Sequence, residues 1–199
     1  NGCDTPRDRV FEAPPESGRV VYAGQLYPWK GVDVLVQAFA RLNRGELVIV
    51  GGLKGEADFD RIQDLAKSLS LGDRIIFKGS LPQKDVASEL AKATVVVAPF
   101  LKSAMTSEHT SPIKAFEAMA AGRPLLISDT DASREIVEDG KTGIVVPPGN
   151  VEAWATALER VLSDRALQMA LSRAAFEKAT QYSWARRAER IEEFLGAMA

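Results

Sequence analysis

The chain has 199 residues, of which 46% are hydrophobic, so it can bury one sizeable core and is most simply a single domain. Its formal net charge of −2 provides no general field that would attract nucleic acid, so no nucleic-acid partner is expected. One histidine and one cysteine exclude a multi-histidine metal site and an internal disulfide framework.

The first 18 residues are predicted to be an interdomain lead-in rather than core, because residues 5–18 are rich in proline, glycine and charge. The chain does not begin with Met and its start resembles no signal peptide, so we expect it to begin in the middle of a longer protein. Cys3 is predicted to be an exposed thiol near a ragged end. Residues 19–199 are then the domain itself.

After the lead-in, short apolar runs alternate with amphipathic stretches, a pattern typical of a parallel sheet with helices on both faces. Most of the runs are continuously apolar, as strands covered on both faces should be. The predicted strands, in chain order, are 20–23, 47–50, 74–77, 95–98, 124–127 and 143–146.

Apolar residues at helical spacing predict helices between the first strands and closing helices after residue 151. The stripes are Val32, Leu35, Val36, Phe39 and Leu42; Phe59, Ile62, Leu65, Ala66 and Leu69; Trp154, Leu158, Val161 and Leu162; and Trp184, Ala188, Ile191 and Leu195.

Six parallel strands joined by right-handed crossovers predict a doubly wound, Rossmann-like sheet in the order 3-2-1-4-5-6, within three α/β/α layers. In that order the chain reverses direction between the first and fourth strands, and ligands bind at the carboxyl ends there. The loops that line this crevice are 24–31 and 99–111.

The second of these loops leads into a helix start that favours an anion. Ser111 can cap the free N–H groups and Pro112 suits the first helical position, which leaves the positive end of the helix dipole for a ligand. Lys114 adds a full charge, and Glu117 on the same face could accept hydrogen bonds from ribose hydroxyls. A capped surface helix with a weak Lys–Glu pair is the alternative.

Lys30 reaches the crevice from the first loop and Lys114 from the helix, a combination that suits a diphosphate. An ordinary solvated lysine before a helix is the alternative for Lys30. The loop Gly79-Ser80-Leu81-Pro82 could meet a flat base through its backbone, or it could be a plain strand-to-helix turn. Gly24 and Gly51 follow the first two strands, where they permit turns and could also allow a ligand to approach.

Several enzyme classes are disfavoured by missing motifs. No Gly-x-Gly-x-x-Gly follows the first strand and no Walker Gly-Lys-Ser/Thr occurs, which argues against a nicotinamide dehydrogenase and a P-loop nucleotidase. The absence of a Gly-x-Ser-x-Gly elbow argues against a serine hydrolase.

Taken in order, segments along nearly the whole chain resemble the C-terminal, donor-binding domain of retaining glycosyltransferases of the GT-B fold, family 4. The most specific segment is Glu-Ala-Met-Ala-x-Gly-x-Pro at residues 117–124. The other matching segments are 1–4, 24–31, 50–52, 77–79, 135–143 and 146–150.

The resemblance implies a nucleoside diphosphate sugar as donor, no cofactor and no metal. Lys30 would hold the leaving phosphate, N–H groups near Ile113 and Lys114 would support it, Glu117 would bind the ribose, and residues 78–81 would receive the base. The donor-binding residues predicted in this way are Gly24, Gln25, Lys30, Gly51, Lys78, Gly79, Ser80, Leu81, Ser111, Pro112, Ile113, Lys114 and Glu117.

Two positions depart from the family pattern. Gln25 stands where the family commonly has an arginine, and glutamine cannot neutralise charge. His109, beside Glu108, stands where the family has a glutamate. By the resemblance the catalytic residues are Lys30, Glu117 and His109, although His109 could equally be a loop residue with no special role.

The function predicted from these observations is donor binding within a glycosyltransferase of the hexosyltransferase type. The acceptor-binding N-terminal domain would belong to the same protein outside this chain, and any membrane contact would pass through it. A nucleotide-sugar epimerase of the GT-B fold and a non-catalytic nucleotide-sugar-binding module are the alternatives. The single cysteine suits a reducing compartment. The expected location is the cytoplasm, and a peripheral position at the inner face of the membrane is left open.

Overall fold

The computed structural model of this protein describes Cys3 and residues 10–102 and 113–196. Its sheet has six parallel strands in the order β3-β2-β1-β4-β5-β6, which confirms the predicted doubly wound fold. The strands are β1 Arg19–Ala23, β2 Glu46–Val50, β3 Ile75–Gly79, β4 Val95–Ala98, β5 Leu125–Ser128 and β6 Ile144–Val146.

The described residues form helices α1 Val32–Ala40, α2 Ala57–Ser68, α3 Gln83–Ala91, α4 Ile113–Ala120, α5 Asp131–Arg134, α6 Val151–Ser163, α7 Arg165–Ala179 and α8 Trp184–Gly196. Three 3-10 turns accompany them, at Pro28–Lys30, Gly72–Arg74 and Thr180–Tyr182.

The sheet separates two apolar layers, because successive side chains of a strand point to opposite faces. In β1, Val20 and Tyr22 belong to the layer beneath α1, α2 and α6. Val21 and Ala23 belong to the layer beneath α3, α4 and α7. The interior strands are therefore apolar throughout, and the three-layer α/β/α arrangement follows.

Polar residues of the sequence set where three of the helices begin. Asn150 Oδ1 accepts a hydrogen bond from the N–H of Ala153 at 3.0 Å, and Asp164 Oδ1 accepts from Leu167 at 2.9 Å. Thr130 Oγ1 accepts from Ser133 in the same way. Each satisfies one of the backbone donors that a helix start leaves without an internal partner.

Cys3 is buried, so the prediction of an exposed thiol is wrong. Its backbone N–H donates to the carbonyl oxygen of Tyr182 at 2.9 Å, and it forms a parallel bridge with Ser183. The start of the chain thus pairs with the segment that joins α7 to α8. A pairing across so much sequence leaves no signal in local composition.

The described part of the lead-in, residues 10–18, lies against the domain. The Phe11 ring meets the edge of Phe176 in α7, with 5.5 Å between ring centroids. The carbonyl oxygen of Pro15 accepts a hydrogen bond from Thr94 Oγ1 at 2.8 Å, just before β4. This segment therefore has defined contacts with the helices and the sheet.

The last helix, α8, forms where its apolar stripe predicts it, but it does not close the core as expected. None of its residues is buried, and Trp184, Ile191 and Leu195 are all exposed. Of the helices described, none is both long and apolar enough to cross a membrane.

Candidate functional site

The carboxyl ends of the first three strands are tied together through backbone groups. The N–H of Gly24 donates to the carbonyl oxygen of Val50 at 2.9 Å, and the N–H of Gly51 donates to that of Gly79 at 2.7 Å. Gly51 has φ +125°, and a Cβ atom there would lie 1.9 Å from the Gly24 oxygen. Only glycine permits this approach.

A buried tyrosine shapes the loop after β1. Tyr22 Oη donates a hydrogen bond to the carbonyl oxygen of Gln25 at 2.6 Å. Burial raises the pKa of Tyr22 above its ordinary value of 10.0, so the phenol stays protonated and remains a donor. The Gln25 backbone is therefore held in place, while its side chain is exposed.

Lys30 ends the 3-10 turn Pro28–Lys30, and its Nζ lies 5.0 Å from the centre of the Phe100 ring. Burial lowers the pKa of Lys30 from its ordinary 10.5. No carboxylate among the residues that the structure describes lies within salt-bridge distance of Nζ. Lys30 is thus a partly desolvated cation, which an anionic ligand would stabilise.

The loop after β1 packs directly on the loop after β4. The N–H of Leu101 donates to the carbonyl oxygen of Trp29 at 2.9 Å. Gly31, with φ +67°, lies so close to Pro99 that a Cβ atom would be 1.9 Å from the Pro99 carbonyl oxygen. These two loops flank the predicted crevice, so the structure places Lys30 at its wall.

Glu117 of α4 receives one hydrogen bond on each carboxylate oxygen. Lys114 Nζ lies 2.7 Å from Oε2, and Gln83 Nε2 lies 3.0 Å from Oε1. The Glu117 side chain is 18% exposed. The shared helix face of Lys114 and Glu117, predicted from their spacing, is confirmed, and the carboxylate is held from two directions.

The segment predicted to receive a base lies beside Gln83. β3 runs two residues further than predicted, so Lys78 and Gly79 belong to the strand and not to the loop. Lys78 and Ser80 have exposed side chains, while Leu81 packs partly against the layer beneath α3 and α4. Gly79 turns the chain with φ +66°.

The proposed anion-binding turn lies outside the described residues, as do His109, Ser111 and Pro112 with their neighbour Glu108. Ile113, the first described residue of α4, has an exposed side chain. In the described part of this edge, Gly24 bonds to the end of β2, Gly51 bonds to the end of β3, and Gln83 after β3 bonds to Glu117 of α4.

Local sequence patterns single out none of three residues at this edge, Tyr22, Gln83 and Phe100, although Phe100 lies in the predicted crevice loop 99–111. Tyr22 is indistinguishable from other apolar strand residues, and Phe100 simply follows a buried strand. For Gln83 a partial signal existed, since it directly follows the predicted base loop. Its partner could not be inferred, because Glu117 is 34 positions away in the chain.

A cavity of about 760 Å³ lies elsewhere, between α6 and the end of α1. It is lined by two exposed ion pairs, Arg41 with Glu152 and Arg44 with Glu159. The charges of these pairs neutralise each other, whereas Lys30 has no carboxylate partner among the described residues. We therefore place the candidate site at the carboxyl edge of the sheet. Within the described ranges, no cluster of three or more His, Cys, Asp or Glu residues could hold a metal ion.

Comparison with known proteins decides the family. The model of the family described as glycosyl transferases group 1 matches residues 5–178. The chain belongs to this family. The D-inositol 3-phosphate glycosyltransferase of Corynebacterium aurimucosum is similar to this chain, with 30% identity in an alignment 191 positions long that covers 92% of this chain and 44% of that protein. The chain spans less than half the length of the curated relatives it matches.

Solved structures with a similar fold include two known proteins. Sucrose-phosphate synthase from Thermosynechococcus elongatus has a TM-score of 0.78 at 29% identity, over 94% of this chain and 47% of that one. Anabaena HepE, solved in complex with UDP and glucose, has a TM-score of 0.81 at 23% identity, over 92% of this chain and 49% of its own. The fold is that of GT-B glycosyltransferases.

Proposed function

We propose that this chain is the donor-binding domain of a retaining glycosyltransferase that takes sugar from a nucleoside diphosphate sugar. The observation that carries the proposal is the Glu117 carboxylate, held by Lys114 and Gln83 at the sheet edge where Lys30 also lies. Family membership supports it, as does Anabaena HepE, a protein of the same fold solved with UDP and glucose.

In this proposal the leaving diphosphate is neutralised by protein cations. The glycosidic bond breaks toward an oxocarbenium-like state, so negative charge develops on the leaving phosphate. Lys30 meets that charge from one wall and Lys114 from α4. Because Lys30 is partly desolvated before the ligand arrives, its attraction to phosphate is less screened than that of a surface lysine.

Glu117 binds the ribose, since an ionised carboxylate accepts hydrogen bonds from two neighbouring hydroxyls. The base lies against the end of β3 and the loop that follows it. The acceptor binds to an N-terminal domain of the same protein, so transfer requires the full-length protein. This chain alone is expected to bind nucleotide without transferring sugar.

Titration calorimetry of this chain with UDP, GDP and their glucose conjugates tests the assignment. Binding of at least one of them is expected, and no heat with any of them in a folded sample would contradict the donor site. Incubation of the full-length protein with donor, with and without extracted cellular acceptors, then shows transfer. Epimerised donor, or bound donor that is never consumed, would contradict the transferase assignment.

Lys30→Ala tests the role of the cation. A charge-assisted hydrogen bond contributes about 1.5–3 kcal/mol, so affinity for the nucleoside diphosphate should fall about tenfold or more. Affinity for the nucleoside without phosphates should change little. Lys67→Ala, an exposed lysine paired with Asp64 on α2, is the matched control. Equal losses for both ligands would remove the phosphate role of Lys30.

A further inference from the structure

Gln83 is the one side chain that joins the segment after β3 to the carboxylate on α4 in the described part of the chain. It is the first residue of α3, directly after Pro82, and its Nε2 lies 3.0 Å from Glu117 Oε1. We propose that Gln83 is a positioning residue that holds Glu117 ready for the ribose hydroxyls. This inference rests on the proposed function, because it assumes that a nucleotide binds there.

The two donors act on different oxygens of one carboxylate. Lys114 lies at Oε2 and Gln83 at Oε1, so rotation about the terminal torsion of Glu117 is restricted before any ligand binds. A glutamate side chain otherwise loses rotamer freedom when it is immobilised, at a cost to affinity. Fixing Glu117 in advance removes part of that cost.

The arrangement also leaves the carboxylate able to bind a diol. An ionised carboxylate has about four acceptor sites on two oxygens, and the two protein donors occupy two of them. One site on each oxygen remains for a hydroxyl. Because Glu117 only accepts hydrogen bonds, the amide of Gln83 must present its NH₂ group to it.

The neutral charge of Gln83 matters for this role. Lys114 already pairs with Glu117, so a second cation would add further positive charge beside the carboxylate, whereas an amide orients the carboxylate without adding charge. Substitution by glutamate would instead place two carboxylates in hydrogen-bond range of each other. Gln83→Glu should therefore disturb the site more than Gln83→Ala.

The position of Gln83 predicts which part of a bound nucleotide is affected when Gln83 is substituted. Gln83 hydrogen-bonds to Glu117, the proposed ribose ligand, whereas the residues proposed for the diphosphate are Lys30, beside Phe100, and Lys114. Loss of the amide should weaken recognition of the ribose diol and leave recognition of phosphate unchanged. A ligand that lacks both ribose hydroxyls should not distinguish the variants.

The experiment is titration calorimetry with UDP and GDP and with their 2′,3′-dideoxy counterparts, using the chain, Gln83→Ala, Gln83→Glu and a control. Gln37→Ala is the control, since Gln37 also makes one side-chain hydrogen bond, to the Asp33 carbonyl oxygen on α1, away from the site. Gln83→Ala should weaken binding of the better ribonucleotide about fivefold, and Gln83→Glu by more. Binding of its dideoxy counterpart should stay within twofold, and Gln37→Ala should change neither.

Adding Gln83→Ala to Glu117→Gln separates positioning from general support of the fold. If Gln83 acts through Glu117, adding Gln83→Ala to the Glu117→Gln variant should not change its ribonucleotide affinity further. Equal losses for ribonucleotide and dideoxynucleotide, or unchanged affinity in Gln83→Ala, would overturn the positioning role while leaving the donor site intact. A wild-type chain that binds neither UDP nor GDP would overturn the proposed function and this inference together.

Discussion

Gly31→Ala is expected to destabilise the domain through a single close contact between two loops. Gly31 lies between the turn Pro28–Lys30 and α1, with φ +67°. A Cβ atom there would lie 1.9 Å from the Pro99 carbonyl oxygen and 3.0 Å from its carbon. The oxygen belongs to backbone, so it cannot move aside as the end of a flexible side chain would.

Two costs add in this variant. A non-glycine residue in the left-handed region costs about 1–2 kcal/mol. Relief of the contact requires a backbone shift of roughly 1 Å, which carries a penalty comparable to overpacking, about 1–3 kcal/mol. The free energy of unfolding should therefore fall by about 2–5 kcal/mol.

Gly140→Ala is the matched control because Gly140 has φ +71° and no atom within 4 Å of the position that a Cβ would take. It carries the conformational cost alone. Urea denaturation measures both variants, and a constant m-value shows that the same surface unfolds in each. The difference in unfolding free energy between them isolates the contact with Pro99.

The same substitution should also weaken nucleotide binding. Pro99 precedes Phe100, the ring against which Lys30 lies, so a displaced Pro99 moves one wall of the site. Gly140→Ala should leave nucleotide affinity unchanged. If both variants lost equal stability, the contact between the loops would contribute nothing and the reasoning would be refuted.

Two further predictions concern the core and the amino ends of the strands. Trp154→Ala should lower the free energy of unfolding by about 3–5 kcal/mol, measured by thermal unfolding, because Trp154 is fully buried. Trp184→Ala on exposed α8 should lower it far less. Similar losses in the two variants would contradict this assignment of the core. Burial raises the pKa of Glu89, but hydrogen bonds from Lys92 and Arg19 outweigh it, so the net pKa lies below 4.5 in the folded chain. The stabilisation that ionised Glu89 provides is present above pH 4.5 and is lost as the pH falls through its folded pKa. The urea midpoint of Glu89→Gln should therefore vary less with pH in this range than that of the unsubstituted chain. Parallel pH profiles for the two would contradict the pairing of Glu89 with Arg19 and Lys92.

Much of the fold could be predicted because its signals are local. A run of apolar residues that is covered on both faces reads as a buried strand wherever it occurs, and the handedness of crossovers then leaves few sheet orders. The sequence pattern ends β3 two residues too early because Lys78 resembles a loop residue, although an exposed lysine is tolerated on an edge strand. The apolar stripe of α8 correctly predicts a helix, but periodicity does not tell whether another surface covers that stripe.

In the candidate site, too, only the contacts between residues close together in sequence could be predicted. The pairing of Lys114 with Glu117 follows from a spacing of three residues on a helix. Three other contacts join parts of the chain that are far apart in sequence. They are Gln83 with Glu117, Lys30 with Phe100 and Cys3 with Ser183. Each depends on the angle and distance between packed elements, which no local pattern contains.

By itself, then, the sequence determined the strands, their order and the edge at which a ligand would bind, because burial and chain handedness constrain each of these locally. Only the tertiary structure decided how Glu117 is held and how closely Gly31 approaches Pro99, because side-chain geometry across the crevice exists only after the sheet has assembled.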